Sequence, residues 1–453
     1  MIKLKLTDKM FFKKVFMIAF PIAVHHFISS FQNIVDVIMI GNLGKEELAG
    51  VGFANQVIFI FMLTTFGILG GASTFIAQYW GKKDMKNIYK IIGLSLVSCV
   101  FLSVIGLYLT EYHSKYLLSM YKLSDNVLNY GSTYLKINGY SFIIGIVGFC
   151  YGTVLRNTGK PFVPMYTSFI AVLINIILNY GLIYGNLGMP KLGVEGAAIA
   201  TVIARYVDTI ILMVLIFWKN KYLVGKFSEL FNFDFKFIKR FFNISLPIIF
   251  QEILWALGVN FYFIVYGKMG TDAAAAINVA NSFERLAFVL FFGLATASAV
   301  IIGNEIGRGN EIKAFYYGRR FLKLSTTIAI GITITIIFFM HIIVKMFGVE
   351  GIVYDYALKL TYIFLIVFPV KVFNIANIIG VLRSGGDSKV AFLLEITTMW
   401  FIGVPLCFFS GVILKYPIYI VYIFICVEEI VKMYLGYRRF KSKRWIKNLV
   451  KSA

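Results

Sequence analysis

One acidic residue lies inside the first long apolar stretch of the chain. Asp36 stands among Val35, Val37 and further aliphatic residues, with Gln32 and Asn33 four and three positions before it. That spacing places the three polar side chains on one face of a helix. A carboxylate in apolar surroundings needs water, an ion or a partner, and such acids are typically functional. The alternative is an acid near a helix end that neighbouring polar groups satisfy.

Oxygen-bearing side chains recur in later apolar stretches. Asn175 and Asn179 are four residues apart, Tyr180 follows directly, and Thr201 lies in the next stretch. Amide, hydroxyl and carboxylate oxygens are the hard ligands that a small cation prefers. With Asp36 they could therefore complete an oxygen shell around sodium. Proton binding needs only the carboxylate, so it is favoured slightly, and both ions stay open.

Other polar residues of the apolar stretches have two interpretations each. His25 and His26 could carry protons along the stripe that leads to Asn33, or could bond a neighbouring helix, which is favoured. Arg205 and Asp208 are three residues apart and predict a compensated pair. Glu252 and Glu395 predict either ligand contact or pairing with Lys371 or Arg285. Contact is favoured for Glu252 and structural pairing for Glu395.

The elements that must position these residues are membrane-spanning helices. Hydrophobic residues make up 59% of the chain, charged residues 15%, and the mean hydropathy is +0.81. These values indicate an all-α polytopic membrane protein, because soluble domains average about half apolar and a quarter charged residues. Runs of about 20 apolar residues span a bilayer. Twelve are predicted, at 15–40, 51–78, 88–110, 128–154, 162–185, 194–218, 241–267, 275–303, 321–346, 353–380, 390–413 and 416–437.

The chain is an internal duplication. The stretch from Gly41 to Lys82 matches the stretch from Gly267 to Arg308 at a constant offset of 226 residues, and VLRNTG at 154–159 matches VLRSGG at 381–386. Similarity at a fixed spacing is the mark of a repeat. Small residues that match across it, Gly67 and Gly293 among them, predict close helix packing. The expected organisation is an N-lobe (1–218), a linker (219–240), a C-lobe (241–437) and a basic tail (438–453).

Basic residues predict how the helices are oriented. Loops on the side of the N-terminus carry 31 of the 44 Lys and Arg residues, whereas the opposite loops carry 7. Because basic loops stay in the cytoplasm, both termini are expected there, and the six-helix repeats are parallel. The net charge of +22 is then a topology signal and a contact with anionic membrane lipid, which argues against nucleic-acid binding.

Enzyme and pump signatures are missing from the sequence. The turn at 156–161 lacks the Gly-x-x-x-x-Gly-Lys-Ser/Thr pattern of a phosphate-binding loop. The four cysteines lie in apolar stretches without metal-ligand spacing. No nucleophile–base arrangement is legible either. We therefore expect neither an enzyme nor a cofactor.

Several fragments together resemble the multidrug and toxic compound extrusion (MATE) family. They are PIA at 21–23, Asp36 followed by Gly41 and Gly44, GILGG at 67–71, LRNTGKP at 155–161, GVEGAA at 193–198 and LRSGGD at 382–387. The resemblance covers nearly the whole chain. It implies a V-shaped two-lobe antiporter, acting as a monomer in the plasma membrane, that exchanges organic, often cationic, drugs for protons or sodium.

The resemblance also implies site residues. In prokaryotic members the N-lobe cation site uses positions that match Asp36, Asn175, Asn179 and Thr201, with Gln32, Asn33, Tyr180, Glu252 and Glu395 as candidate substrate contacts. Asn179 stands where the family usually has an aspartate, so one acid remains in the site. The C-lobe site of another bacterial branch is not reproduced, since the tenth helix offers Lys371 and no acid. A flippase for lipid-linked sugars and a passive channel are the competing interpretations.

Overall fold

The protein, described here by a computed structural model over residues 9–451, is built from long helices. Short helices, Lys221–Leu223 and Phe227–Leu230, precede the seventh long helix. The long helices are α1 (Lys9–Gly41), α2 (Lys45–Lys82), α3 (Met85–Ser119), α4 (Asp125–Asn157), α5 (Phe162–Tyr184), α6 (Val194–Lys219), α7 (Phe235–Lys268), α8 (Thr271–Gly307), α9 (Glu311–Ile337), α10 (Gly351–Leu382), α11 (Ser388–Ile413) and α12 (Ile418–Lys441). This confirms the predicted all-α polytopic architecture.

Eleven of the helices found in residues 9–451 are long and apolar enough to cross a membrane. The helix outside this group is α12, which carries Glu428, Glu429 and Lys432 in its middle. Most helices extend past their predicted apolar runs, because backbone hydrogen bonding continues into the polar ends that leave the hydrocarbon. The run predicted at 321–346 is interrupted, since α9 ends at Ile337 and a short helix follows at Met340–Lys345.

The chain divides into two compact units. One contains residues 9–23, Ala77–Lys82 and residues 250–451, and the other contains Val24–Ile76 and Lys83–Ile249. The division falls between Ala23 and Val24 in α1, and at the equivalent position, 226 residues later, between Ile249 and Phe250 in α7. The first helix of each repeat therefore begins in the unit that holds most of the other repeat. The lobe boundaries expected from the helix count stay a prediction.

Matching glycines explain these helix contacts. A Cβ atom on Gly67 of α2 would lie 2.6 Å from the Cα of Ile249 in α7. Correspondingly, a Cβ on Gly293 of α8 would lie 2.9 Å from the Cβ of Ala23 in α1. Both approaches are too close for any residue with a side chain. The predicted close packing of these small residues is confirmed, and each contact repeats at the same sequence offset.

The segment after α12 is packed against the protein. Trp445 is fully buried, and its indole nitrogen donates to the carbonyl of Phe440 at 3.1 Å. The amide of Leu449 donates to Gln78 Oε1 at 2.8 Å. Asp387, in the turn between α10 and α11, accepts the cationic side chain of Lys447 at 2.6 Å. Basic residues after α12 thus neutralise a buried acid and hold helix ends together.

Candidate functional site

A carboxylate and two amides form a chain of hydrogen bonds between α1 and α5. Asn179 Nδ2 donates to Asp36 Oδ1 at 2.6 Å and also to Asn175 Oδ1 at 3.2 Å. Both asparagines are fully buried, whereas Asp36 is partly exposed. One turn of α5 separates the amides, so their side chains reach the same point on α1. The structure therefore brings together three of the four residues expected at the cation site.

The amide pair retains unused hydrogen-bonding capacity. Asn175 Nδ2 and Asn179 Oδ1 are buried and have no hydrogen-bond partner among the described residues. Buried polar atoms are nearly always satisfied, so such exceptions in a native protein call for a physical explanation. A donor and an acceptor next to a carboxylate suit a site where a proton or a small cation comes and goes.

Thr201 joins this site through a tyrosine that the sequence reasoning missed. The Thr201 hydroxyl donates to the carbonyl of Ala197 in its own helix at 3.0 Å. The buried hydroxyl of Tyr134, on α4, forms side-chain hydrogen bonds with Thr201 and Asn138 and lies within the electrostatic reach of Asp36. Tyr134 and Asn138 are four residues apart in an apolar run, the same signal that identified Asn175 and Asn179.

Arg205 and Asp208 do not form the predicted ion pair within the described part of the chain. The Arg205 guanidinium lies over the ring of Phe149 at 5.6 Å, and Asp208 accepts a long hydrogen bond of 3.4 Å from Ser168. Residues three apart on a helix meet only when both side chains lean toward each other. Here α4 and α5 offer other partners, and the charge of Arg205 acts on Asp36 instead.

The remaining N-terminal candidates lie outside this hydrogen-bond chain. Asn33 is exposed and Gln32 is partly exposed on α1. Tyr180 is 49% exposed, and its ring meets Tyr184 edge-on at 6.2 Å. The rings of His25 and His26 are 5.9 Å apart in an edge-on arrangement. These side chains are available to a ligand but do not hold Asp36.

Glu252 pairs with a different cation from those expected. Arg383 Nη2, at the end of α10, lies 2.8 Å from Glu252 Oε1 on α7. The side chain of Glu252 stays 21% exposed and that of Arg383 12% exposed. Arg383 belongs to the LRSGGD fragment, so this motif residue binds the acid of the neighbouring helix. Pairing with Lys371 or Arg285 was the wrong alternative, because both lie on other helix faces.

Glu395 belongs to a cluster of three carboxylates around one buried lysine. Lys432 Nζ on α12 lies 2.8 Å from Glu395, 2.8 Å from Glu428 and 3.3 Å from Glu429. The hydroxyl of Tyr262 on α7 donates to Glu428 Oε2 at 2.7 Å. One ammonium cannot balance three ionised acids, so added hydrogen-bond donors carry part of the load. The expected structural role of Glu395 thus has Lys432, and not Lys371 or Arg285, as its partner.

A second ionic group adjoins the lysine cluster. Lys371 Nζ donates to Glu284 Oε1 at 2.7 Å and to the Tyr422 hydroxyl at 3.1 Å. Asn374, one turn later on α10, donates to Glu429 Oε2 at 2.7 Å. The C-terminal repeat therefore buries charge in bonded networks, whereas the N-terminal repeat keeps one acid among amides. The two halves share a backbone pattern but differ in chemistry.

Carboxylates, histidines and cysteines alone make no metal site in the part of the chain that the structure describes. No group of three or more such residues is placed to hold a metal ion. Any sodium site would use amide and hydroxyl oxygens around a single carboxylate, the donor set that Asp36, Asn175, Asn179 and Thr201 provide.

Comparison with known proteins decides the family. The MatE family model matches residues 21–181 and again residues 247–409, and the two matches begin 226 residues apart, at Pro21 and Pro247. The matched segments cover well over half of the chain. The chain belongs to the MatE family. As a MatE protein it is a multi-pass membrane transporter and not an enzyme.

Relatives of similar length support the assignment. The chain is 26% identical over 449 residues to the "Uncharacterized transporter YisQ" of Bacillus subtilis, covering 98% of this chain and 96% of that protein. It is 24% identical over 409 residues to the "Probable multidrug resistance protein NorM" of Thermotoga maritima, covering 89% and 86%. Both matches run through the two repeats of the MatE protein.

Solved structures share the fold. A mutant of the Vibrio cholerae MATE transporter VcmN superposes with a TM-score of 0.87 at 19% sequence identity, covering 97% of this chain and 98% of that chain. At this identity the likeness shows the fold alone. The MatE fold is therefore established independently of the side chains that form the site.

Proposed function

We propose that this MatE protein is a secondary active antiporter that exports organic, often cationic, compounds in exchange for an inward-moving ion. The plasma membrane, with both termini in the cytoplasm, is the proposed location, and the monomer is the proposed functional unit. Protons are the favoured coupling ion and sodium is the alternative. The single observation that carries the proposal is the Asp36–Asn179–Asn175 hydrogen-bond chain.

The chain of hydrogen bonds suits a carboxylate that changes its protonation state. When Asp36 is ionised, Asn179 Nδ2 donates to it, as the 2.6 Å contact has it. When Asp36 carries a proton it needs an acceptor, and rotation of the Asn179 amide presents Oδ1, which is otherwise unpartnered among residues 9–451. An aspartate at this position would lack the donor. The departure from the usual family residue is thus compatible with a one-proton site.

The same surroundings disfavour sodium. A sodium ion gains from several oxygen ligands and from net negative charge. Asp36 supplies one negative charge, and the nearby Arg205 guanidinium partly cancels it. A proton instead forms a covalent bond with the carboxylate and needs no oxygen shell. On charge alone, proton coupling is the better fit.

Two printed names support a drug substrate. The Thermotoga maritima relative is a "Probable multidrug resistance protein", and several Bacillus relatives share that description. Polar side chains available to a cationic compound in this chain are Gln32, Asn33, Tyr180 and Glu252. Glu252 is held by Arg383 but keeps one face exposed, so it remains a candidate substrate contact. Glu395 is proposed to hold helices together.

Transport by purified protein in liposomes tests the proposal. We expect an imposed pH gradient to drive concentrative uptake of an ethidium-like dye, with no requirement for sodium. A sodium gradient at equal, clamped pH on both sides is the matched control. Strong sodium-driven uptake under clamped pH would overturn proton coupling, whereas equilibration without concentration under any gradient would overturn antiport.

A further inference from the structure

A groove opens on one compact unit between α9, α10 and α12, near the beginning of α9 and the end of α12. Its volume is about 290 Å³. Aromatic side chains from α10 and α12 form one wall, and basic and hydroxyl side chains of α9 form the other. The residues that matter are Arg319, Lys323, Thr326, Phe373, Tyr437 and Phe440.

The α9 wall offers unpaired positive charge. Arg319 and Lys323 are exposed and four residues apart, so both point from the same helix face. Within residues 9–451 neither forms an ion pair, whereas the nearby Lys313 and Arg308 share Glu305. The hydroxyl of Thr326 is buried and has no hydrogen-bond partner in the same range. Two cations and a spare hydroxyl at one groove suit an anionic oxygen group.

The rest of the α9 face is apolar. Beyond Thr327, the same face continues with Ile330 and Ile334, which are 45% and 59% exposed. In a membrane-spanning helix these residues lie at the depth of the acyl chains. Along α9 the exposed face therefore runs from cationic to apolar, which is the order of headgroup and acyl chain in a phospholipid.

We propose that this groove binds one anionic phospholipid. Its phosphate lies between Arg319 and Lys323, and one acyl chain lies against Phe373 and the apolar face of α9. The end of the helices that carries the site is the end that carries the basic loops, so the lipid comes from that leaflet. A site of this kind adds a fixed lipid contact to a transporter whose proposed function does not depend on it.

Native mass spectrometry of the protein released from mixed phosphatidylglycerol–phosphatidylcholine vesicles tests the site. Two basic side chains near a membrane surface favour an anionic lipid by about 30-fold. We expect wild-type protein to retain one phosphatidylglycerol with roughly that preference, and the double variant Arg319→Gln, Lys323→Gln to lose it. The matched control is Lys236→Gln, Lys239→Gln, which removes two exposed charges at the start of α7 and leaves retention unchanged.

A second variant tests the acyl chain separately from the charge. Thr327→Trp fills the groove from an exposed position while keeping both cations, and we expect it to abolish retention of phosphatidylglycerol. Inorganic phosphate should not raise the melting temperature of the wild-type protein. Equal loss of lipid in the Lys236 and Lys239 control, retention by Thr327→Trp, or stabilisation by phosphate alone would each overturn the lipid site.

Discussion

Replacing Asp36 with asparagine separates the coupling role of this residue from a structural one. The variant keeps the shape of the side chain and can still accept a hydrogen bond from Asn179, which lies 2.6 Å away. It loses the negative charge and the ability to bind a proton. A residue that only holds α1 against α5 would be replaced at small cost, whereas a coupling carboxylate cannot be replaced at all.

The structural cost follows from the hydrogen bond. A bond to a charged group contributes about 1.5–3 kcal/mol to stability and a neutral one about 0.5–1.5 kcal/mol. The difference, about 1 kcal/mol, is offset in part because a neutral side chain is easier to enclose among apolar residues. The melting temperature of Asp36→Asn should therefore stay within a few degrees of the wild-type value.

Transport should respond very differently. Without a titratable group in the site, a proton gradient has nothing to act on, so concentrative dye uptake in liposomes should fall to the level of empty vesicles. Dye binding to the detergent-solubilised variant should persist. Asp125→Asn, the same chemical change at the exposed start of α4, is the matched control and should transport normally.

Two results would refute this reasoning. Wild-type uptake by Asp36→Asn, at equal amounts of reconstituted protein, would show that the coupling group lies elsewhere. A melting temperature lowered by ten degrees or more, with loss of dye binding, would show instead that Asp36 is mainly structural.

Other substitutions test the C-terminal networks and the coupling ion. Lys432→Met should destabilise the protein by about 3–5 kcal/mol, because three carboxylates lose their shared cation; thermal unfolding measures it, and Lys359→Met, in an exposed pair with Asp355, should change nothing. Glu252→Gln should weaken dye affinity in a binding titration with little change in melting temperature, while Glu395→Gln should lower the melting temperature and leave affinity intact; the reverse pattern would exchange their roles. Asn179→Asp should strengthen sodium binding, measured by sodium-dependent thermal stabilisation, because it adds a second carboxylate beside Asp36; no stabilisation would argue against these oxygens as sodium ligands.

The helices and the duplication could be predicted from the sequence alone. Length and apolar composition decide whether a segment spans a bilayer, and both are local properties, so the predicted runs fall within the observed helices for nearly every span. The exception is instructive. The break after Ile337 interrupts a uniformly apolar run, and hydropathy carries no signal for it.

Part of the cation site was also legible. Asp36, Asn175 and Asn179 stand out because polar residues at helical spacing in an apolar run need a reason to be there. Tyr134 carries the same kind of signal, with Asn138 one turn away, but tyrosine is common in membrane helices and does not attract attention by its type. Only the packing of α4 against α6 places its hydroxyl beside Thr201.

Charge partners were decided by tertiary structure. From the sequence, Glu252 and Glu395 could pair with any basic residue within the membrane, and the actual partners, Arg383 and Lys432, lie 131 and 37 residues away. Arg205 and Asp208, close in sequence, do not pair within the described residues. Opposite charges pair according to which helix faces meet, and a one-dimensional pattern fixes the face of each helix but not the neighbour it turns toward.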